Sequence, residues 1–523
     1  MPALYDDIVI GGGSSGAVLA ARLSEDPSRS VLLLEAGPAY TSIATTPASL
    51  LTVWCGANNP LHDHDWGYQA SATPNRTIPY PRGKVTGGSS AVNGIVALRG
   101  SPDDFNTWAA LDNPIWAWEH VLPWFRSLED DPEFAEDVTN HGRGGAVPIA
   151  RYSDEQLHPV SHAFIAACQA VGYPYTRDSN HPDATGVGPL PMNLRDGRRI
   201  STAISHLYPA QHRLNLTIAP HTTVCRLLLE GTQVVGVEVE RGGQVQQVHG
   251  ARVTLAAGAL GSPAILLRSG IGPADDLRGL GIAPVVDLPG VGATLYDHFR
   301  CWISFETPAE YDPQRDTHEV MLRYTAEGSQ ETNDMQLHIF TPRDYLENES
   351  IPARGGRQAY LSMAPGVQRP CGHGSLKLAS ADPHAPPIID LNYAGHPEDA
   401  RRLRDGLRLA WRLAHTPPLD QFAGRPVAHA GIVPNEALLA DDTALNHYVL
   451  ATVNTIYHPV ATCRMGPVGD EGAVVDQYLR VHGIDNLHIV DASVMPSIVR
   501  ANTNLTCIML AERAAAGLER GIW

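Results

Sequence analysis

Short apolar runs separated by a helix-like stretch open the chain. Residues 5–10 and 31–34 are the short hydrophobic runs that form buried strands, and residues 15–24 between them have the pattern of a helix. A strand, a helix and a second strand in this order predict a β-α-β unit. Such a unit is the entry to a doubly wound parallel sheet.

Further strand-like runs occur much later, at residues 214–218, 224–229, 234–240, 253–256 and 487–490. Between them lie a loop-rich stretch at 41–82 and a long segment at 301–454, which has several strands of its own and a helical pattern at 399–414. The pattern predicts an α/β fold (α+β overall). One domain is assembled from separated pieces, and a second domain is inserted between them.

Composition narrows the class of protein. The 523 residues carry a net charge of −18, which repels nucleic-acid phosphates, so nucleic acid is not an expected partner. The 7 cysteines are scattered without a C-x-x-C pair, which predicts reduced thiols rather than disulfides or structural zinc. No apolar run approaches the roughly 20 residues of a membrane helix, and no signal-peptide pattern is visible. We therefore expect a cytoplasmic protein without a membrane span.

A glycine-rich turn follows the first predicted strand. Gly11, Gly13 and Gly16 form G-x-G-x-x-G, and Glu35 ends the next strand. These glycines allow a tight bend and a close approach of backbone to a pyrophosphate, whose charge is favourable at a helix N-terminus. Glu35 is placed to accept hydrogen bonds from an unphosphorylated ribose, which favours FAD or NAD over NADP.

Two other interpretations of short motifs stay open at this point. Residues 12–16 also fit the G-x-S-x-G turn of α/β-hydrolases, although only about ten residues precede them and that fold needs earlier strands and an oxyanion-hole loop. Residues 62–65 read His-Asp-His-Asp and contain common metal ligands. Their spacing is compact, so no metal site is expected.

A second segment rich in glycine and serine, residues 83–93, reads GKVTGGSSAVN and is followed by Ala97, Gly100 and Asn106. It resembles the first signature of the glucose–methanol–choline (GMC) oxidoreductase family. Such a loop is dense in backbone N–H donors, which suit a pyrophosphate and the edge of a flavin.

Two later segments extend the resemblance. Residues 258–272 are similar to the second family signature, and residues 288–298 resemble the segment that follows it. Thr86 and Thr294 stand where the family usually has leucine and asparagine. Neither departure threatens the fold, but Thr86 would lie near the flavin.

The C-terminal part carries the chemical resemblance. Residues 457–466 (YHPVATCRMG) are similar to the active-site histidine segment of the family, and residues 490–496 and 502–504 are similar to its ending. Carried over by position, His458 is the catalytic histidine. Asn502 is its partner, which is a histidine or an asparagine in the family.

The resemblance implies two domains. A Rossmann-like FAD-binding domain takes residues 1–150, 205–300 and 455–523, and a substrate-binding domain with an antiparallel sheet takes residues 151–204 and 301–454. The expected cofactor-binding positions are Gly11, Gly13, Ser14, Ser15, Gly16, Glu35, Ala36, Trp66, Arg82, Gly83, Val85, Gly88, Ser89, Asn93, Gly94, Ile95, Val96, Val224, Gly258, Tyr457, Asp491, Ala492, Asn502, Thr503 and Asn504.

Further site expectations follow from position. Gln336 and His338 alternate onto one face of a predicted strand, which the family places on the substrate pocket. A predicted helix at 506–518 would direct its N-terminus at the flavin and stabilise negative charge on the reduced ring. Some members tether the flavin through a histidine where this chain has Val92, so we expect FAD to be bound non-covalently.

The implied activity is FAD-dependent oxidation of a small-molecule alcohol to an aldehyde or ketone. His458 takes the hydroxyl proton, Asn502 donates to the forming alkoxide, and the flavin accepts the hydride. Oxygen or a quinone-type acceptor would reoxidise the flavin. The alternative is a flavoprotein lyase of the same fold, similar to hydroxynitrile lyases, without net redox chemistry. The identity of the alcohol, and whether the protein is a monomer or a homodimer, stay open.

Overall fold

Three stretches that are far apart along the chain build one seven-stranded sheet, here called the first sheet. The computed structural model describes residues 4–52, 63–309, 318–343 and 359–523. The first sheet runs in the order Leu216–Ala219, Val31–Leu34, Leu4–Ile10, Gln244–Leu255, Gln233–Arg241 and Thr222–Glu230, with Leu487–Ile489 beside Gln244–Leu255. Leu4–Ile10 pairs in parallel with both of its neighbours, as the β-α-β prediction requires.

The interior of the first sheet is apolar because helices cover it. Every residue of Val31–Leu34 is buried, as is typical of parallel strands that are covered on both faces. The helix Gly16–Leu23 buries all its residues except Arg22, and it packs against the C-terminal helix Thr503–Glu519. Arg22 pairs with Glu512 of that helix at 2.7 Å. The C-terminal helix is thereby held next to the glycine-rich turn that follows the first strand.

A second seven-stranded sheet is antiparallel throughout its named pairings. This second sheet runs in the order Asn454–Thr455, Phe299–Arg300, Ala359–Val367, Met335–Arg343, Val320–Tyr324 and Gly186–Pro189, with Ile303–Thr307 beside Ala359–Val367. The helix Pro397–Ala414 packs on it. The expected combination of a Rossmann-like sheet with an antiparallel second sheet is confirmed. The domain boundaries themselves stay a prediction.

The stretch 41–82 is less loop-like than its sequence indicates. Gln69–Thr73 and Arg76–Pro79 form a hairpin that joins Ile388–Asp390 and Ser375–Lys377 in a four-stranded sheet. Its buried positions include the small Ala70 and Ala72, which give little hydrophobic signal. The partner strand lies about 300 residues away, so local pattern alone does not reveal the pairing.

The remaining elements are short. The other α-helices are Ala48–Leu51, Pro102–Ala110, Trp118–Leu128, Pro159–Ala170, Tyr208–Ala210, Gly258–Arg268, Ala274–Gly279, Glu436–Ala440 and Asp442–Thr452. Two-stranded pairs join Ile271–Gly272 to Val286–Asp287, Glu129–Asp130 to Val147–Pro148, and Leu194–Arg195 to Arg198–Arg199. The six cysteines in the described ranges are free thiols. Across those same ranges, each helix is too short or too polar to traverse a bilayer.

Candidate active site

The backbone around His458 is held in an unusual conformation. The chain leaves the second sheet at Asn454–Thr455 and reaches His458 through Tyr457, whose φ is +69°. This left-handed value costs a residue with a side chain roughly 1–2 kcal/mol. Ala461 also has a positive φ, of +72°. Surrounding contacts must hold such a strained turn in place.

Asp297 is the anchor of this turn. Its Oδ1 accepts a hydrogen bond from the backbone N–H of His458 at 2.6 Å. Its Oδ2 accepts from the hydroxyls of Tyr80 and Thr455, each at 2.7 Å, and from that of Tyr393. Burial raises the pKa of Asp297, and these hydroxyl donors act in the opposite direction. The buried carboxylate positions the histidine through its backbone.

A chain of hydrogen bonds sets the tautomer of His458. His298 Nε2 lies 3.0 Å from the backbone oxygen of Gln368, and a carbonyl oxygen only accepts, so Nε2 carries the proton. Burial lowers the pKa of His298 to about 3, so its ring is neutral and its Nδ1 is an acceptor. His458 Nδ1 therefore donates to His298 Nδ1 across 2.9 Å. His458 Nε2 keeps a lone pair, which accepts from Asn502 Nδ2 at 3.1 Å.

The electrostatic surroundings keep His458 neutral. Burial is the largest cause that lowers its pKa well below the ordinary value. His298, Arg82, Arg300 and His338 follow in order of effect, and each lowers the pKa further. A neutral imidazole with an available nitrogen is the form that accepts a proton. The site therefore holds His458 in the state of a base.

Gln336 and His338, the expected substrate contacts, lie on the buried strand Met335–Arg343. His338 Nε2 is 3.0 Å from Gln336 Oε1, and His338 Nδ1 is 2.6 Å from Nε2 of His318. The amide of Gln336 donates to the backbone oxygen of Arg500 at 3.4 Å. This face of the second sheet therefore meets the segment that leads to Asn502. Contact with a substrate stays a prediction.

The glycine turn after the first strand leaves no room for a side chain at two of its three glycines. An added Cβ on Gly16 would lie 1.8 Å from the oxygen of Gly11. One on Gly11, whose φ is +97°, would lie 2.6 Å from the oxygen of Ala256. Gly13 is different, because a Cβ there would meet its nearest atom only at 3.8 Å. Two glycines thus close the turn, and the third keeps its surface open.

Glu35 ends the second strand and ties the turn together. Its Oε2 accepts from the N–H of Gly12 at 2.8 Å, and its Oε1 accepts from that of Gly37 at 2.7 Å. Burial raises the pKa of Glu35 to about 7, although both N–H donors oppose the shift. The carboxylate therefore has a structural task besides the expected ribose contact, which stays a prediction.

The two glycine loops cross each other. The N–H of Gly87 donates to the oxygen of Gly12 at 2.7 Å. A Cβ on Gly88, whose φ is +50°, would lie 2.6 Å from the Cα of Gly13. Motifs that are about 75 residues apart in sequence thus form one cradle of backbone beside the first sheet.

Buried donors beside the cradle fit a ligand with oxygen-rich groups. Arg82 Nη1 donates to the backbone oxygen of Tyr457 at 2.8 Å. Within the described part of the chain, Nε and Nη2 of Arg82 and Oγ1 of Thr86 are buried without a hydrogen-bond partner. Each such group costs about 1–3 kcal/mol unless a ligand satisfies it. These donors and the glycine cradle fit FAD.

Two helix N-termini meet at the same place. Ser14 Oγ donates to Oδ1 of Asn504 at 2.8 Å, and Ser15 Oγ donates to the oxygen of Cys507 at 3.0 Å. The C-terminal helix begins at Thr503, three residues before the expected start, directly after Asn502. The positive ends of both helix dipoles therefore face the region around the cradle and His458.

The other expected cofactor positions surround these features. Asp491 accepts from the N–H of Gly258 at 2.8 Å and from Ser262 Oγ at 2.5 Å, which fixes the start of the helix Gly258–Arg268. Trp66 lies at the edge, 37% exposed, stacked on Tyr68. Most of the rest lie in or just after the second glycine loop: Gly83, Val85, Ser89, Asn93, Gly94, Ile95 and Val96. The others are Ala36 after the second strand, Val224 in the strand Thr222–Glu230, and Ala492 beside Asp491.

The competing motifs lack support. Ser14, the nucleophile of a hydrolase interpretation, donates its hydroxyl hydrogen bond to Asn504 rather than to a histidine. Of the residues 62–65, His62 lies outside the described residues. His64 Nε2 is 2.8 Å from the hydroxyl of Tyr40, and Asp65 accepts from the N–H of Arg82. These contacts are those of structural side chains.

Two residues at the centre of the site have no assigned role in the sequence analysis. Asp297 and His298 lie inside the family-like segment 288–298, so their positions were visible. Their roles depend on partners between 70 and 217 residues away, such as Gln368 and Tyr80, which local spacing does not show. An Asp-His pair that directly precedes a strand is the signal that was available.

Comparison with known proteins agrees with this arrangement. Residues 5–300 and 370–511 match the two models of the family described as GMC oxidoreductase. Mitochondrial choline dehydrogenase of Mus musculus is 35% identical, with 98% of this chain and 89% of that protein covered. Oxygen-dependent choline dehydrogenase 1 of Chromohalobacter salexigens is 36% identical, with coverages of 98% and 94%.

A solved structure matches the whole fold. The crystal structure of pyridoxine 4-oxidase from Mesorbium loti superposes with a TM-score of 0.88 at 32% identity and covers 99% of both chains. A fungal aryl-alcohol oxidase, at 23% identity and a TM-score of 0.82, shares the fold. The chain belongs to the GMC oxidoreductase family and is an FAD-dependent oxidoreductase.

Proposed function

We propose that this protein oxidises the CH–OH group of a small-molecule alcohol to an aldehyde or ketone, with His458 as the base. The observation that carries the proposal is the hydrogen-bond chain that leaves a lone pair on His458 Nε2 beside Asn502. Relatives named as choline dehydrogenases and a structural neighbour named pyridoxine 4-oxidase support an alcohol as the class of substrate.

Each side chain has a defined task. His458 Nε2 accepts the hydroxyl proton, while its Nδ1 proton stays hydrogen-bonded to His298. The amide of Asn502 then donates to the alkoxide oxygen instead of to the imidazole. Asp297 keeps the His458 backbone in its strained turn. When bound, FAD supplies the acceptor for the hydride.

The low pKa of His458 in the free site has a consequence for the order of events. Burial, Arg82 and Arg300 keep the imidazole of His458 neutral, so this ring can accept a proton as soon as a substrate binds. An alkoxide forming next to the ring adds negative charge, which raises the pKa of the imidazole where the proton is transferred. The negative charge that develops on the substrate oxygen therefore favours transfer of the proton to His458.

We propose non-covalent attachment of FAD because Val92, at the position where some members carry a tethering histidine, has no nucleophile. Acid precipitation of the holoenzyme checks this, since tethered flavin stays with the pellet. We propose that oxygen or a quinone-type compound reoxidises the flavin. Measurement of peroxide after exposure to oxygen distinguishes these two acceptors.

The test is anaerobic mixing of the purified holoenzyme with a panel of alcohols, followed by flavin absorption. We expect at least one alcohol to bleach the flavin. His458→Ala should retain FAD and slow reduction by about 10²–10⁴-fold, the usual contribution of general base catalysis. Asn502→Ala should slow the same step by less, through loss of one donor to the alkoxide. His120→Ala, at an exposed position, is the matched control and should reduce at the wild-type rate.

Rising pH should restore part of the rate of His458→Ala, because a substrate that is already deprotonated needs no base. If His458→Ala reduces its flavin as fast as wild type with the best alcohol, the base lies elsewhere. If substrate is consumed while the flavin never bleaches, the enzyme is a lyase of the same fold rather than an oxidoreductase acting on alcohols.

A further inference from the structure

Arg300 lies on the face of the second sheet that meets the candidate active site. It is 7% exposed and follows His298 by two residues. It pairs with Gly366 on one side and with Asn454 on the other, four residues before His458. Arg300 therefore lies on the strand that directly follows His298, beside the strand that leads to His458.

The sheet register places Arg300 in one row with an expected substrate contact. Gly366, the partner of Arg300, is also the partner of Gln336 on the next strand. Directly paired residues of antiparallel strands point to the same face, so Arg300 and Gln336 flank a position that has no side chain. A Cβ on Gly366 would lie 3.3 Å from the Cβ of Arg300 and 2.8 Å from Cδ1 of Ile456. Gly366 thus lets Ile456 and the stem of Arg300 pack closely in this row.

Aromatic side chains define where the guanidinium lies. Its carbon is 4.4 Å from the ring centre of Trp302 and 5.6 Å from that of Phe340. Phe340 stacks on His318, which contacts His338. A flat cation held against aromatic faces is oriented and weakly hydrated, which suits it to bind a planar anion with two hydrogen bonds.

The charge of Arg300 reaches the reacting groups. It is among the causes that lower the pKa of both His458 and His338. Among the side chains with the largest charge effect on the pKa of His458, Arg82 and Arg300 are the cations, and none of these side chains is an acid. A cationic alcohol would meet this field unfavourably, and an anionic alcohol would meet it favourably.

We propose that Arg300 binds an anionic group on the alcohol substrate, so that the enzyme favours alcohols carrying a carboxylate or phosphate over neutral and cationic ones. This inference rests on the proposed alcohol oxidation. The guanidinium forms paired, charge-assisted hydrogen bonds with the anion, and the hydroxyl end of the substrate then extends towards His458 Nε2. Carboxylates and phosphates share this chemistry.

The experiment uses holoenzyme and alcohols built on one ring: 4-(hydroxymethyl)benzoate, 4-(hydroxymethyl)phenyl phosphate, the neutral 4-(hydroxymethyl)benzamide and the cationic 4-(hydroxymethyl)benzyltrimethylammonium. Anaerobic stopped flow gives the second-order rate of flavin reduction for each. We expect an anion to exceed the amide by about 10–100-fold and the cation to be slowest. The faster of the two anions identifies the anionic group.

Arg300→Met keeps an apolar stem on Trp302 and removes the charge. It should lose the preference for the anion, so that the ratio of the anion rate to the amide rate falls towards one, whatever happens to the rate with the amide itself. Arg300→Lys should retain part of the preference. Arg425→Gln, at an 83% exposed arginine beside the same sheet, is the control and should behave as wild type. Binding of benzoate, followed by the shift in flavin absorption, should weaken in Arg300→Met.

Wild-type enzyme that reduces its flavin with the amide as fast as with both anions overturns the inference, even if Arg300→Met does not fold. An anion preference that persists in Arg300→Met overturns it as well. In both cases alcohol oxidation itself stands. If no alcohol of any charge bleaches the flavin, the proposed function fails and this inference fails with it.

Discussion

At the scale of residues, the protonation of the histidines in the site is fixed by their hydrogen-bond partners. The backbone oxygen of Gln368 decides which nitrogen of His298 carries a proton, and His298 decides the same for His458. A substitution at His298 should therefore change the tautomer of His458. The burial of His458 alone would not reveal this effect.

Glu35 offers a prediction at this scale. Glu35→Ala removes the acceptor of two loop N–H groups and of the expected ribose contact. We expect FAD affinity to fall by about 10–100-fold, corresponding to about 1.5–3 kcal/mol, with flavin reduction at saturating FAD close to wild type. Equilibrium titration of the apoprotein with FAD measures the affinity. Glu230→Ala, at an exposed glutamate that ends a strand of the same sheet, is the control.

Unchanged FAD affinity in Glu35→Ala would show that the assignment of the first glycine turn to the cofactor is wrong. A large fall in the rate of reduction at saturating FAD would instead place Glu35 in the chemistry, far from the position that its loop contacts indicate.

At the scale of elements, the two glycine loops act as one because Gly88 crosses over Gly13. Gly88→Ala would place a methyl group 2.6 Å from the Cα of Gly13 in a residue whose φ is +50°. Gly67→Ala introduces a comparable left-handed strain, with φ of +69° and no atom within 4 Å. The pair of variants separates steric collision from backbone strain.

We expect Gly67→Ala to lower the free energy of unfolding by roughly 1–2 kcal/mol and to keep FAD. Gly88→Ala should lose more stability than this and most of its FAD, because the loops must separate. Flavin content per chain and urea unfolding of both variants give the comparison. Equal behaviour of the two variants would mean that the crossing is not needed to bind the cofactor.

Elements built from local pattern were predictable, and those built from distant partners were not. The unit of Leu4–Ile10, Gly16–Leu23 and Val31–Leu34 is continuous in sequence, and every one of its boundaries matches the prediction within one residue. The hairpin from Gln69 is different, since small alanines hide its pattern. Arg300 was missed because its proximity to His458 arises only when two strands pair.

At the scale of the whole molecule, buried histidines make stability depend on pH. Burial lowers the pKa of His298 and His338 to about 3, whereas both would titrate near 6.5 in the unfolded chain. The unfolded state therefore binds more protons below pH 6.5, and stability falls as pH decreases towards 3. For His141, burial and Arg99 lower the pKa, but Asp178 and Glu129 outweigh them and raise it to about 9. The stability that His141 contributes is therefore lost as pH rises from 6.5 to 9.

The comparison of wild type with His338→Gln isolates one of these contributions. Between pH 7 and pH 5 a histidine whose pKa falls from 6.5 to about 3 on folding should cost about 2 kcal/mol. We expect the free energy of unfolding to fall by about that much less in the variant over this range. Urea titrations at both pH values measure it. Identical pH slopes would mean that folding does not lower the pKa of His338.

The pairing of Leu487–Ile489 with Gln244–Leu255 bears on how the protein is made. The first strand leaves the ribosome roughly 25–100 s before this last one, at synthesis rates of about 5–20 residues per second. During that interval the nascent first sheet has an open edge, and Asn502, with the helix that caps the cradle, does not yet exist. An open edge invites pairing with other chains. Yield in cells should therefore depend on chaperones that shield this edge until synthesis ends.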